Sequence, residues 1–366
     1  MQRAFLLCAL VFLVGCDVSD TASSNDAPVF SNIEVDEHVE FFPTSGWLDE
    51  ENQEWHVPIH GWIYEPEDSS VRRAVLEKIL EEQFDLTPNK ETAPNLARRL
   101  NLLIADNERD KTIVVSVGGR NYELPPSAEN GHFKTTVVIP AADADKFSDD
   151  GLIEYSAVTR KSETRKFRGQ VQLVGPAGLS IISDIDDTVK ITNVTNRKSL
   201  LEHTFLLDFV AAPGMAQLYG EWAATDVSFH YVSSSPWQLY APLAELLARN
   251  NFPWATFSLK AVRFRDETIL ELFKEGTDTK PAAIEEILGR YPGRQFVLVG
   301  DSGEQDPEVY ASLIRKHPKR VLKVYIRNVT RETPDNARFV TVFDGIAADR
   351  WQLFEDPQSL MLPVMQ

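Results

Sequence analysis

The spacing of apolar positions changes partway along the chain. From about Val29 to Val174 they fall in short alternating runs rich in β-branched and aromatic residues, the mark of half-buried strands. "EWHVPIHGWIYEP", "HFKTTVVIP" and "RKFRGQVQLVG" read this way, and "KTIVVSVGGRNYELP" reads as a hairpin about Gly118 and Gly119. Two stretches switch to helical spacing: "SSVRRAVLEKILEEQF", with Ser69 or Ser70 as N-cap, and "APNLARRLNLLIA". Residues 29–175 are therefore expected to form a mostly antiparallel, sandwich-like β domain. From Gly178 the apolar runs become short and continuous: "LSIIS", "VSFHYVS", "ATFSLKAV", "QFVLVG" and "VLKVYIR". Helical patterns separate them: "PWQLYAPLAELLARN", "KPAAIEEILGRYP" and "DPEVYASLIRKHP". Strands alternating with helices imply an α/β domain over residues 176–366, built on a parallel sheet that binds ligands at the carboxyl ends of its strands.

The N-terminus reads as a processing signal. "AFLLCALVFLV", Ala4 to Val14, is too short to span a bilayer and ends in "LVGC". This resembles the lipobox of bacterial lipoproteins, which implies a signal peptide over 1–15, acylation of Cys16 and a polar tether over 16–28. The alternative is an ordinary signal peptide with an incidental cysteine. The lipobox reading implies a protein anchored in the bacterial cell envelope on the extracytoplasmic side, the periplasm in a Gram-negative cell. Cys8 would leave with the signal, so the mature chain has no free thiol, and thiol catalysis and cysteine-ligated metals are excluded. A net charge of −18 argues against a nucleic-acid partner. The histidines of the β region, His38, His56, His60 and His132, look scattered and structural. The sequence is silent on oligomeric state.

The candidate chemistry lies in "LSIISDIDDTVK", Leu179 to Lys190. Asp184, Asp186 and Asp187 crowd together where the first parallel strand ends, an arrangement tolerable if a divalent cation neutralises them; hard oxygen ligands suit Mg²⁺. The spacing D-x-D-x-T, Asp184 to Thr188, resembles the first motif of the haloacid dehalogenase (HAD) superfamily. Three further stretches follow in that superfamily's order. "FHYVSSS" ends a strand at Ser233, whose hydroxyl suits a phosphoryl oxygen. "TDTKPAAIEEIL" puts Lys280 at a helix N-terminus, with Pro281 behind it, as a cation for the phosphoryl group. "QFVLVGDSGEQD" ends a strand with Asp301 and Asp306 as metal ligands. The resemblance implies that Asp184 attacks phosphorus and that Asp186 exchanges protons as acid and base. It also implies that Mg²⁺ is held by Asp184, the Asp186 carbonyl and Asp301, with Asp306 in the same cluster. Asp187 either shapes the turn or acts directly. Arg327 is expected in a structural ion pair, and the basic run Arg315 to Arg320 as a solvated helix end.

The wording is closer still to one family. "SDIDDTVK", "HYVSSSPWQLY", "VLVGDSGEQDPEVY" and "VYIRNV" resemble the catalytic domain of the phosphatidate phosphatase family typified by the yeast actin-patch enzyme, from Gly178 to about Val329. That resemblance implies Mg²⁺-dependent removal of phosphate from phosphatidate or related lipid phosphates. The family's His-Lys pair is read here as Thr279-Lys280; Lys260 and Lys274 are weaker alternatives for the cation. Thr188 and Ser233 are too close to enclose a large cap, and "HTFLLDFV", His203 to Val210, is either a flap, a lipid-facing edge or a core element. Two other readings stay open: a phosphatase of soluble phosphomonoesters or phosphoproteins, and a non-catalytic surface lipoprotein.

Overall fold

The computed structural model describes residues 29–66, 69–262 and 279–365. The readings placed on residues 1–28, Cys16 among them, and on Lys274 lie outside the described residues. Among the described residues no helix is long and apolar enough to cross a membrane.

The first region holds strands β1 His38–Phe42, β2 Thr44–Asp49, β3 Glu54–Glu65, β4 Asp106–Asn107, β5 Val114–Val117, β6 Arg120–Glu123, β7 His132–Pro140, β8 Ser148–Asp149, β9 Leu152–Ala157 and β10 Arg168–Val174. Its helices are α1 Ser70–Phe84, α2 Ala93–Ile104 and α3 Ala141–Ala144. The sheet runs β1-β3-β2-β10-β9-β5-β6, and β7 lies along the other edge of the long β3. Among the described residues of this sheet only the β2–β10 pairing is parallel. Gly118 and Gly119, at φ 55° and 82°, make the turn between β5 and β6, the geometry a tight hairpin needs. Phe41, Ile59 and Val137 from one end share a cluster with Val115, Ile153 and Val171 from the other. The region is thus a mostly antiparallel β domain, one sheet curled over its own core.

The second region follows as β11 Leu179–Ser183, α4 Arg197–Leu201, α5 Met215–Ala223, β12 Ser228–Pro236, α6 Tyr240–Arg249, β13 Thr256–Lys260, α7 Lys280–Arg290, β14 Gln295–Asp301, α8 Asp306–Lys316, β15 Val321–Arg327, α9 Ala337–Val342 and β16 Trp351–Phe354. Its six strands are all parallel, in the order β13-β12-β11-β14-β15-β16. Every residue of the central β11 is buried, which accounts for its unbroken apolar run. Ile181 packs with Met215 and Leu246 of α5 and α6 on one face, and Ile182 with Ile284 and Tyr310 of α7 and α8 on the other.

Three expectations change. The α1–α2 pair does not belong to the β core: Leu76, Leu80, Leu96 and Leu100 cluster with Leu201, Phe205 and Leu206 of the second region. The "HTFLLDFV" stretch is therefore a core element there, although Leu207 and Val210 at its end stay exposed. Burial of Leu80 in this cluster contributes about 1.5–3 kcal/mol. Next, the histidines are not all scattered. His60 Nε2 lies 3.1 Å from His132 Nδ1, in a box formed by Phe42, Trp62 and Trp237, so the β region shares aromatic packing with the second sheet. Lastly, the basic run is stapled rather than free. Arg315 donates to the Val342 and Asp344 carbonyls, Arg320 to those of Leu288 and Tyr291, and Lys316 and His317 pair with Glu285.

Candidate active site

Three strand ends and one helix N-terminus converge. Asp184 follows β11, Ser233 lies in β12, Asp301 ends β14 and Lys280 opens α7. One carboxylate oxygen each from Asp184, Asp301 and Asp306 lies within 4.8 Å of the others, and all three residues are fully buried. Gly300 makes this approach possible: a Cβ there would stand 2.3 Å from Asp306 Oδ2.

Lys280 Nζ is the cation of this cluster, 2.9 Å from Asp184 Oδ1, 2.9 Å from Asp306 Oδ1 and 2.5 Å from Glu304 Oε2. Burial disfavours its charge, but the three carboxylates outweigh burial and hold its pKa well above the ordinary lysine value. Asp306 is satisfied at both oxygens, since its Oδ2 also accepts from the Asp301 N–H. Asp301 Oδ1 accepts from the N–H groups of Gly303 and Glu304. Asp184 Oδ2 and Asp301 Oδ2 are buried with no hydrogen-bond partner among the described residues. Among the described residues four carboxylates, Asp184, Asp301, Glu304 and Asp306, thus face one ammonium, and burial followed by mutual repulsion pushes Asp184 and Asp301 well above the usual carboxylate range. Orphaned hard oxygens with excess negative charge fit a small divalent cation such as Mg²⁺, held first by Asp184 and Asp301.

Asp186 stands apart from that cluster. Its Oδ1 accepts from Lys190 Nζ at 2.7 Å and Thr192 Oγ1 at 2.8 Å; its Oδ2 accepts from Ser233 Oγ at 3.1 Å and Ser235 Oγ at 2.9 Å. Burial works against the charged form, but the Lys190 ion pair and these donors outweigh it and depress the pKa below the carboxylate range. Asp187 shapes the turn. At φ 55° its carboxylate accepts from the N–H groups of Thr192, Asn193 and Val194, and its carbonyl accepts from Arg327 Nη1 at 2.6 Å. Arg327 thus makes a backbone contact where an ion pair was expected. Lys260 ends β13, on the edge strand.

Sequence reasoning missed Lys190, Thr192, Ser235, Glu304 and Arg338. Lys190 and Glu304 had a signal: each is a charge inside a quoted motif that needed a partner. Arg338 had none. It donates to the Ser302 and Glu304 carbonyls and pairs with Glu308, clamping the loop after β14 from α9.

A family profile described as "Phosphatidate phosphatase APP1, catalytic domain" matches residues 179–328. Phosphatidate phosphatase APP1 of Saccharomyces cerevisiae is 34% identical over 166 residues, 44% of this chain and 28% of that one. An uncharacterized protein of Schizosaccharomyces pombe is 28% identical over 235 residues, 60% of this chain and 38% of that one. The chain therefore spans between a quarter and two-fifths of the length of these relatives. Among solved structures, a β-phosphoglucomutase homologue from Thermotoga maritima aligns over 50% of this chain and 95% of its own, with 12% identity and a TM-score of 0.31. A HAD family hydrolase from Salmonella enterica aligns over 69% and 85%, with 10% identity and a TM-score of 0.24. The family match begins at the first residue of β11 and ends just after β15, enclosing Asp184, Ser233, Lys280, Asp301 and Asp306. Residues 179–328 are thus similar to the catalytic domain of the phosphatidate phosphatase APP1 family.

Proposed function

We propose that this protein is a Mg²⁺-dependent phosphohydrolase that removes phosphate from phosphatidate or a related lipid phosphate through an aspartyl-phosphate. One observation carries the reading: the buried Asp184 carboxylate keeps an oxygen without a hydrogen-bond partner among the described residues, as does Oδ2 of neighbouring Asp301, with Lys280 at 2.9 Å. An Asp184 oxygen attacks phosphorus as the bond to the lipid alkoxide breaks, and Asp186 gives that alkoxide a proton. The Lys190 ion pair and its hydroxyl donors hold Asp186 as a carboxylate, so the proton is taken up with the incoming substrate. Water then attacks the phosphoryl group, passes a proton to Asp186, and the bond to Asp184 breaks to release phosphate. Asp184 and Asp301 would hold Mg²⁺, with Asp306 beside them, and the ion supplies charge neutralisation for the transferring group. Lys280 adds its own positive charge.

The lipid preference draws on the family match and on the small insert between β11 and β12, which leaves no room for a large cap domain. Attachment to the envelope membrane through Cys16 is part of the same proposal. The test compares wild type with Asp184→Asn in EDTA and in saturating Mg²⁺, on short-chain phosphatidate and on a soluble phosphomonoester. Mg²⁺-dependent turnover, lost in the variant and higher in kcat/KM for phosphatidate, is expected. An active Asp184→Asn enzyme overturns the mechanism, whereas equal kcat/KM values overturn only the lipid assignment.

A further inference from the structure

Lys190 has no place in the chemistry above, yet it is 2% exposed and lies against the acid–base residue. Its Nζ reaches Asp186 Oδ1 and Thr192 Oγ1, both at 2.7 Å. It also stands 4.7 Å from the centroid of the Phe209 ring. That ring is buried and shared with a second cation, Arg99 of α2, whose Cζ lies 4.1 Å from the same centroid. Arg99 is anchored in turn by donating to the Thr204 carbonyl at 3.1 Å. A line of contacts thus runs from Asp186 through Lys190 and Phe209 to a helix contributed by the N-terminal region.

We propose that Lys190 is a positioning residue for Asp186, and that Phe209, fixed by Arg99, holds Lys190 in place. The proposal rests on the reading of Asp186 as the proton donor and acceptor. Each Asp186 oxygen has two donors: Ser233 and Ser235 hold Oδ2, while Lys190 and Thr192 hold Oδ1. The carboxyl rotates about its Cβ–Cγ bond unless both sides are held, and proton transfer demands hydrogen-bond reach to the leaving oxygen. Without Lys190, Oδ1 keeps Thr192 alone, and Thr192 Oγ1 itself loses a partner. The lysine ammonium can fill this role because its own charge is spent on Asp186 and the Phe209 face rather than on the phosphoryl group.

The test uses leaving groups. An alkyl phosphate needs its leaving oxygen protonated, whereas p-nitrophenolate departs without help. The ratio of kcat/KM values for short-chain phosphatidate and p-nitrophenyl phosphate therefore reports proton delivery up to the phosphoenzyme, and a general loss of structure leaves it unmoved. Lys190→Met is expected to lower kcat/KM for the alkyl ester by roughly 10²-fold or more and that for the nitrophenyl ester by under about 10-fold. Lys190→Arg, which restores a cation, is expected to recover most of the difference. Equal losses on both esters, or no loss, overturn the proposal. Asp186→Asn is measured alongside. If it discriminates between the esters and Lys190→Met does not, the Lys190 assignment alone falls; if it fails to discriminate, the acid role falls and this proposal with it. Should Lys190→Met not fold, Phe209→Leu carries the test. Its ratio is expected to move the same way by a few-fold, and an unmoved ratio in folded Phe209→Leu overturns the proposal.

Discussion

Asp301→Asn separates what the site does for function from what it does to stability. Asp301 Oδ1 accepts two backbone N–H groups, while Oδ2 is buried without a partner. Asparagine keeps an acceptor at Oδ1 and puts a donor at Oδ2, among the carboxylates of Asp184 and Asp306. An unsatisfied buried acceptor costs about 1–3 kcal/mol, and the substitution removes that cost together with a repelling charge. Burial, then Asp306 and Glu304, hold the Asp301 pKa well above its ordinary 3.8, although Lys280 opposes them. A carboxyl raised on folding loses its contribution to stability as pH rises, because the unfolded chain ionises first. The gain from asparagine is therefore present at neutral pH and vanishes below 3.8, where both states are protonated. Without metal, the variant is expected to be more stable by about 1–3 kcal/mol, which at about 2–4 °C per kcal/mol raises its melting temperature by roughly 2–12 °C. On the Mg²⁺ reading proposed above, the ion is expected to narrow this gap. At a hundred times its Kd the ion adds about 2.7 kcal/mol to wild type, and the variant, short of one anionic ligand, loses most of that increment along with activity. Circular-dichroism melts in EDTA and across a Mg²⁺ titration read both effects. A variant less stable than wild type in EDTA, or one that keeps the full Mg²⁺ increment, refutes the reasoning.

Two further outcomes follow from other parts of the chain. Burial lowers the His132 pKa from 6.5 to about 4, so between those values the unfolded chain binds a proton that the folded chain refuses, and stability falls as pH drops. Wild type is expected to lose up to about 3 kcal/mol more than His132→Asn between pH 6.5 and 4 in urea titrations, and parallel losses would remove His132 as the cause. Cys16→Ser is expected to abolish retention in the membrane fraction and the mass added by acylation; a variant that stays membrane-bound at unchanged mass contradicts the anchor.

The second sheet was legible because its signals are local. A parallel strand buried on both faces reads as an apolar run, as in "LSIIS" and "QFVLVG", and its carboxyl end is a fixed point for polar residues. Asp184, Ser233 and Asp301 stand at or near such ends, and Lys280 stands at the N-terminus of a crossover helix, so their convergence followed from topology. What could not be read depends on tertiary contact. The helical pattern of α1 and α2 was plain, but nothing in their spacing says that they pack on residues 201–206 rather than on the β region beside them in sequence. The pairing of His60 with His132 joins two strands 72 residues apart. The role of Lys280 was also only half visible. A cation at a helix N-terminus suggests a phosphoryl contact, whereas the folded chain surrounds it with Asp184, Glu304 and Asp306.

The same distinction bears on where the working unit ends. The family match stops at residue 328, yet the loop carrying Asp301 and Glu304 is held by Arg338, ten residues further on, through two backbone carbonyls and Glu308. On the other side, Arg99 of α2 reaches the Phe209 ring that supports Lys190. Phe42 and Trp62 of the β region share a core with Tyr231 and Trp237 of the second sheet. Cutting the chain at the edges of the matched segment would strip a buried arginine contact from the ring behind Lys190 and two hydrogen bonds from the loop after β14. It would also expose aromatic surface now packed against Trp237. The candidate site residues lie within the matched segment, but the groups that hold them in position come from both flanks, so the smallest unit retaining this geometry extends from the β region through α9.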